Sequence, residues 1–76
     1  MSPYQTNTQQ KIRLFQISAL MSHEGLSNNF ISNAVEIGLE HEGMYELFEL
    51  WFNERDPEER QNIIDGIQSE IDDYRG

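Results

Sequence analysis

Three carboxylates, Glu58, Asp65 and Asp72, stand seven residues apart. On a helix that spacing places them on one line, about 10 Å from each to the next. Glu59, Glu70 and Asp73 widen the line into a face, and Glu36 and Glu40 add negative charge earlier in the chain. Rows of carboxylates support two kinds of chemistry. Proton transfer needs one of them in a desolvated pocket with a shifted pKa. Recognition of a cationic surface needs only exposure and spacing. A chain of 76 residues leaves little volume for a pocket, so recognition is the expected role and no catalytic residue is assigned.

Other reactive groupings are sparse. His23-Glu24 and His41-Glu42 are the available His and carboxylate pairs. There is no HExxH pattern and no acidic calcium-loop spacing, so no metal site is expected. Ser22 and His23 are adjacent, and adjacent residues on a helix do not face each other. No glycine-rich phosphate loop occurs, so no cofactor is expected. The chain has no Cys, which removes disulfides and thiolate ligands.

Formal charge is −9, from fourteen acidic and five basic residues. The distribution is uneven. Residues 1–23 hold Lys11 and Arg13 and no acid, and all fourteen acids fall in residues 24–76. Such a balance disfavours direct binding to nucleic acid, which needs clustered Lys and Arg. It disfavours anionic membranes for the same reason. No apolar run approaches the roughly 18 residues of a membrane span. The opening MSPYQTNTQQ lacks the charged and apolar regions of a signal peptide. A cytoplasmic protein is the resulting expectation.

The elements that must position these groups are all helical. No stretch alternates with period two and no hairpin dipeptide occurs. The patterning predicts a bundle of four short helices over about residues 9–23, 28–41, 44–53 and 57–74. Residues 1–7 form a loose lead-in and 8–76 a single helical domain. In the first helix, Thr6 or Thr8 is the expected N-cap and Gly25 the stop. Its apolar residues fall on two ridges, Ile12-Phe15-Ala19 and Leu14-Ile17-Met21, which predicts packing on both flanks. The second helix has Ser27 as N-cap, an apolar face through Phe30, Ile31, Ala34, Val35 and Ile37, and Gly43 as its stop. Gly38 within that face marks a close approach of a neighbour. The fourth opens with Asp56-Pro57-Glu58-Glu59, an N-cap acid, an N1 proline and an acidic first turn. Ile63, Ile64, Ile67, Ile71 and Tyr74 then form one stripe.

The third helix, Met44 to Asn53, is apolar nearly all round and holds the only Trp. It is the expected centre of the bundle, with Glu46 and Glu49 its contribution to the exterior. His23-Glu24-Gly25 and His41-Glu42-Gly43 echo one another and read as two helix C-termini, each with a His near the negative dipole end.

Three functional expectations follow. The first is a non-enzymatic binding module that docks its acidic face on a basic, nucleic-acid-handling protein as an inhibitor or regulator. Small acidic proteins of phages and mobile elements mimic DNA in this way; the analogy is one of size and charge. The second is a homodimerising or adaptor protein that binds through apolar residues of the first and third helices, with Tyr45, Phe48, Trp51 and Phe52 as anchors. The third is a helix-turn-helix regulator. It is the weakest, because the wet face of the second helix carries Asn29, Ser32, Asn33, Glu36 and Glu40 without a cation.

Overall fold

The structure, a computed structural model, describes residues 6–75. Four helices follow one another: α1 Thr8–His23, α2 Asn28–Gly38, α3 Glu42–Asn53 and α4 Pro57–Arg75. Among the described residues there is no strand. The all-α reading of the sequence therefore holds. α2 and α3 each pack against the other three helices, whereas α1 and α4 do not meet. The molecule is thus layered, with α1 and α4 on opposite sides of a central pair. α3 shares the centre with α2.

Local chemistry sets most helix ends. The Ser27 hydroxyl accepts from the Phe30 amide and starts α2. The Asp56 carboxylate accepts from the Glu59 amide at 3.1 Å and starts α4, as its sequence predicts. α1 is capped by Asn7 rather than by either threonine. Asn7 and Gln10 exchange side-chain to backbone bonds of 2.8 and 2.9 Å, a reciprocal capping box. Thr6 is engaged elsewhere: it is buried and its hydroxyl donates to the Leu39 carbonyl. Of the expected lead-in over residues 1–7, Thr6 and Asn7 are held in place by these bonds, and residues 1–5 lie outside the described residues.

At the end of α1, Gly25 takes φ +96°, a conformation that costs a side chain about 1 kcal/mol or more. The Leu26 amide then reaches the Met21 carbonyl and the Gly25 amide reaches that of Ser22. This is the Schellman closure expected of a glycine there. Gly43 does not repeat it. It lies in the first turn of α3, and Gly25 alone has a positive φ among the described residues. α2 ends at Gly38, three residues earlier than expected, because the Glu40 and His41 amides both fold back onto the Ile37 carbonyl. That tight closure satisfies the last acceptors without a left-handed residue. His41 consequently occupies the N-cap position of α3, without a side-chain capping bond, instead of closing α2, so the apparent repeat of two helix ends is broken.

Among the described residues the core comprises eleven buried apolar residues drawn from every helix, with Phe48, Leu14, Ile17, Met21, Met44 and Ile67 the largest of the fully enclosed side chains. Gly38 does mark a close approach. A Cβ there would stand 3.3 Å from Leu14 and 3.6 Å from Met44, so α1 and α3 both press on it. The two-ridged reading of α1 is corrected. Leu14, Ile17 and Met21 are buried and Leu20 packs half-buried beside them, whereas Ile12, Phe15 and Ala19 are exposed. With α4 on the far side of the central pair, no helix remains to cover the second ridge. Tyr74 likewise leaves the α4 stripe. It is exposed, with its ring edge-on to His41 at 4.7 Å.

Two arginines tie distant segments together. Arg13 grips the Glu49 carboxylate with two bonds of 2.9 and 3.2 Å, and the Tyr45 hydroxyl donates to the same carboxylate. The guanidinium also lies 4.4 Å from the Phe52 ring centre. Arg60 donates twice to Glu24, once to the Trp51 carbonyl, and stacks 4.0 Å over the Trp51 ring. Bidentate geometry with stacking is the arrangement in which arginine contributes most.

The Arg13 bonds hold the Glu49 carboxyl below its ordinary pKa of 4.5; partial burial opposes the shift and the Tyr45 bond adds to it. Between the lowered folded value and the ordinary unfolded one, the unfolded chain binds more protons, so stability rises with pH there. The contribution is complete above about pH 4.5 and is lost as pH falls through the folded value. Glu49→Gln should remove that part of the acid sensitivity. Melting temperatures of wild type and variant, measured from about pH 3 to 7, should converge at the acid end, separate as pH rises to about 4.5 and keep a constant gap above it. Parallel curves across the range would mean that Glu49 carries no pH-linked stability.

Candidate functional site

α4 owes its orientation to its inner side. Ile67 and Ile71 are buried in the core, with Ile63 and Ile64 half-buried beside them. At its first turns Arg60 joins it to α3 and to the Glu24 turn. An amphipathic helix fixed along one stripe has no freedom to turn the other away from water.

The opposite side carries Glu58, Glu59, Asp65, Glu70, Asp72 and Asp73, all exposed. By helical periodicity they span an arc of about 160°, centred opposite the isoleucines. The only ion pairs among the described residues are Arg13–Glu49 and Arg60–Glu24. No cationic group of the described residues therefore stands within 4.0 Å of any of the six. The two arginines in the pairs are committed inside the molecule.

The sequence placed these six on one face, and the structure keeps them there. It also adds a detail not anticipated from the sequence. The Gln61 amide donates to Asp65 at 3.1 Å and the Gln68 amide donates to Asp72 at 3.0 Å. The signal was present as Gln-x-x-x-Asp, repeated seven residues on. Exposed pairs of this kind contribute only about 0.2–0.5 kcal/mol each, but they narrow the rotamers of two carboxylates on the same line.

Glu36 and Glu40 are exposed but do not extend the face. Glu36 stands on α2 and lines a recess with Asn33, Ile37, Tyr74 and Arg75. Glu40 stands in the turn after α2.

The apolar alternative fares differently. Phe48 and Trp51 are 0% and 2% exposed and Tyr45 is half-buried, so the first two belong to the core. Leu50 and Phe52 are the apolar residues that α3 does show to solvent, together with Glu46. Helix 3 therefore reaches the exterior with more than its acids. Glu49 is turned toward Arg13 instead.

Among the described residues no three His, Asp or Glu side chains converge as metal ligands would. Glu49 is shifted toward the ionised form, away from what a general acid needs. A recess of about 350 Å³ lies under Arg55 and Arg60, but its Arg60 and Glu24 already satisfy one another. No described helix is long and apolar enough to cross a membrane.

No protein-family model matches the chain, and neither a curated protein nor a solved structure matches it significantly. The functional reading therefore rests on the surface chemistry of α4.

Proposed function

We propose that the protein is a non-enzymatic binding module whose α4 face docks on a basic surface of a nucleic-acid-handling protein and excludes its substrate. One observation carries the reading: six exposed carboxylates on one helix side with no cation of the described residues within ion-pair distance. From Glu58 to Asp73 the axis runs about 22 Å. Six charges over that length is about one per 4 Å, close to the one per roughly 3.4 Å along a single strand of B-DNA. A groove shaped to accept a phosphate row meets a similar charge density here. The fixed helix supplies it without the freedom of a disordered acidic tail, so less entropy is lost on docking. Inhibition by DNA mimicry, of the kind phages and mobile elements deploy, is the corresponding mode of action.

The reading is tested by capture on the immobilised protein from its native cells. Retained proteins should be basic, should be displaced by duplex DNA, and should lose affinity steeply between roughly 50 and 200 mM salt, as phosphate contacts do. Retention that survives about 1 M salt and excess DNA would place the contact elsewhere.

A further inference from the structure

We propose that the recess at the start of α4 is a binding site for a small carboxylate with an apolar body. The recess lies where the turn after α1, the end of α3 and the first turns of α4 meet. Its volume of about 350 Å³ is near the lower end of the roughly 300–1,000 Å³ typical of ligand pockets, so the ligand is small. Trp51 lines it and is 2% exposed. Its indole N–H has no acceptor among the described residues. A buried tryptophan N–H ordinarily finds one, because a donor left unmet in the interior costs stability. Here the residue borders a recess, and an incoming acceptor can supply what the chain does not.

Charge selects the occupant. The wall holds two guanidiniums, Arg55 and Arg60, against one carboxylate, Glu24. It is therefore net cationic in a chain of formal charge −9. Glu24 is taken by Arg60, which donates to both of its oxygens. The Arg55 guanidinium has no partner among the described residues. Its acidic neighbours are engaged with backbone: Glu54 accepts from the Arg55 and Asp56 amides, and Asp56 accepts from the Glu59 amide. Neither borders the recess, and nor does any of the six carboxylates of the outer α4 face. A carboxylate thus finds a guanidinium that can grip both its oxygens and an indole donor beside it. Leu26, Pro57 and Ile64 supply apolar wall, which favours a hydrocarbon body over a bare inorganic ion.

The test is titration of the full chain with phenylacetate at constant ionic strength, read at its single Trp. The indole N–H resonance and the Trp51 emission should change together and saturate, with a dissociation constant in the millimolar range expected of so small a ligand. Phenylacetamide keeps the shape and loses the charge, and phenethylamine reverses the charge. Both should bind at least about tenfold more weakly than the acid. Arg55→Gln should weaken phenylacetate by at least about tenfold and leave the melting temperature unchanged, since that exposed side chain holds no other element. Gln61→Glu brings a carboxylate to the wall and should weaken it as well. No saturable change up to roughly 50 mM phenylacetate overturns the inference. So does equal affinity for the acid and the amide, or undiminished affinity in the Arg55→Gln chain.

Discussion

Phe48→Ala should leave the protein largely unfolded at 25 °C. Phe48 is completely buried, among the core residues contributed by all four helices. Truncating a buried Phe costs about 3–5 kcal/mol, as lost transfer energy plus the cavity left behind. A domain of this size without disulfides has only about 3–5 kcal/mol in reserve. The loss and the reserve are equal in scale, so the equilibrium moves to the unfolded side. Trp51 reports it directly. It is 2% exposed beneath Arg60, so its emission should be blue-shifted in the native chain and red-shifted in the variant without denaturant. Leu50→Ala, at an exposed site of the same helix, should cost no more than about 0.5 kcal/mol. A Phe48→Ala chain that still melts cooperatively within about 5 °C of wild type would contradict the core described here.

The second large effect concerns binding. Glu58, Asp65 and Asp72, changed together to Lys, bring the formal charge from −9 to −3. All three side chains are exposed, so the fold should survive. Two Gln–Asp bonds are lost, and a cation replaces an anion in the first turn of α4. Together these cost about 1–2 kcal/mol, partly offset by reduced self-repulsion. Affinity for the captured basic partner should fall at least about 100-fold, because each attractive charge becomes a repulsive one at the contact. The change should lie mainly in the association rate and shrink as salt rises. Replacing the same three by Gln and Asn should give an intermediate loss. Unchanged affinity in the Lys variant would reduce the acidic face to a solvating surface. Surface plasmon resonance with the captured protein immobilised measures both rates.

The two experiments probe the core and the exterior; α4 contributes to both from its opposite sides, and these sides were readily revealed by the sequence. Ile67 and Ile71 point inward, and Glu58, Asp65 and Asp72 outward, because one helix period fixes both. A single stripe leaves no choice. The stop at Gly25 and the starts at Ser27 and Asp56 were legible for a similar reason, since a cap is made within a few residues of itself. Asn7 was missed because three side chains there could have capped α1. The hydroxyl of Thr6 is decided by a carbonyl 33 residues away. Gly43 misled because glycine only permits a left-handed turn, and the Ile37 carbonyl had already received two amides.

By itself, then, the sequence determined the helical class, the helix ends at Gly25, Ser27 and Asp56, and the acidic side of α4. These depend on interactions within about one or two turns, which composition and spacing encode. Tertiary structure decided which ridge of α1 is covered, that Phe48 and Trp51 are core while Leu50 and Phe52 meet solvent, and that Arg13 and Arg60 are each committed to a carboxylate 36 residues distant. Two apolar ridges, an all-round apolar helix and an unpaired arginine are each compatible with several packings. Only the placement of α1 and α4 on opposite sides of α2 and α3 selects among them.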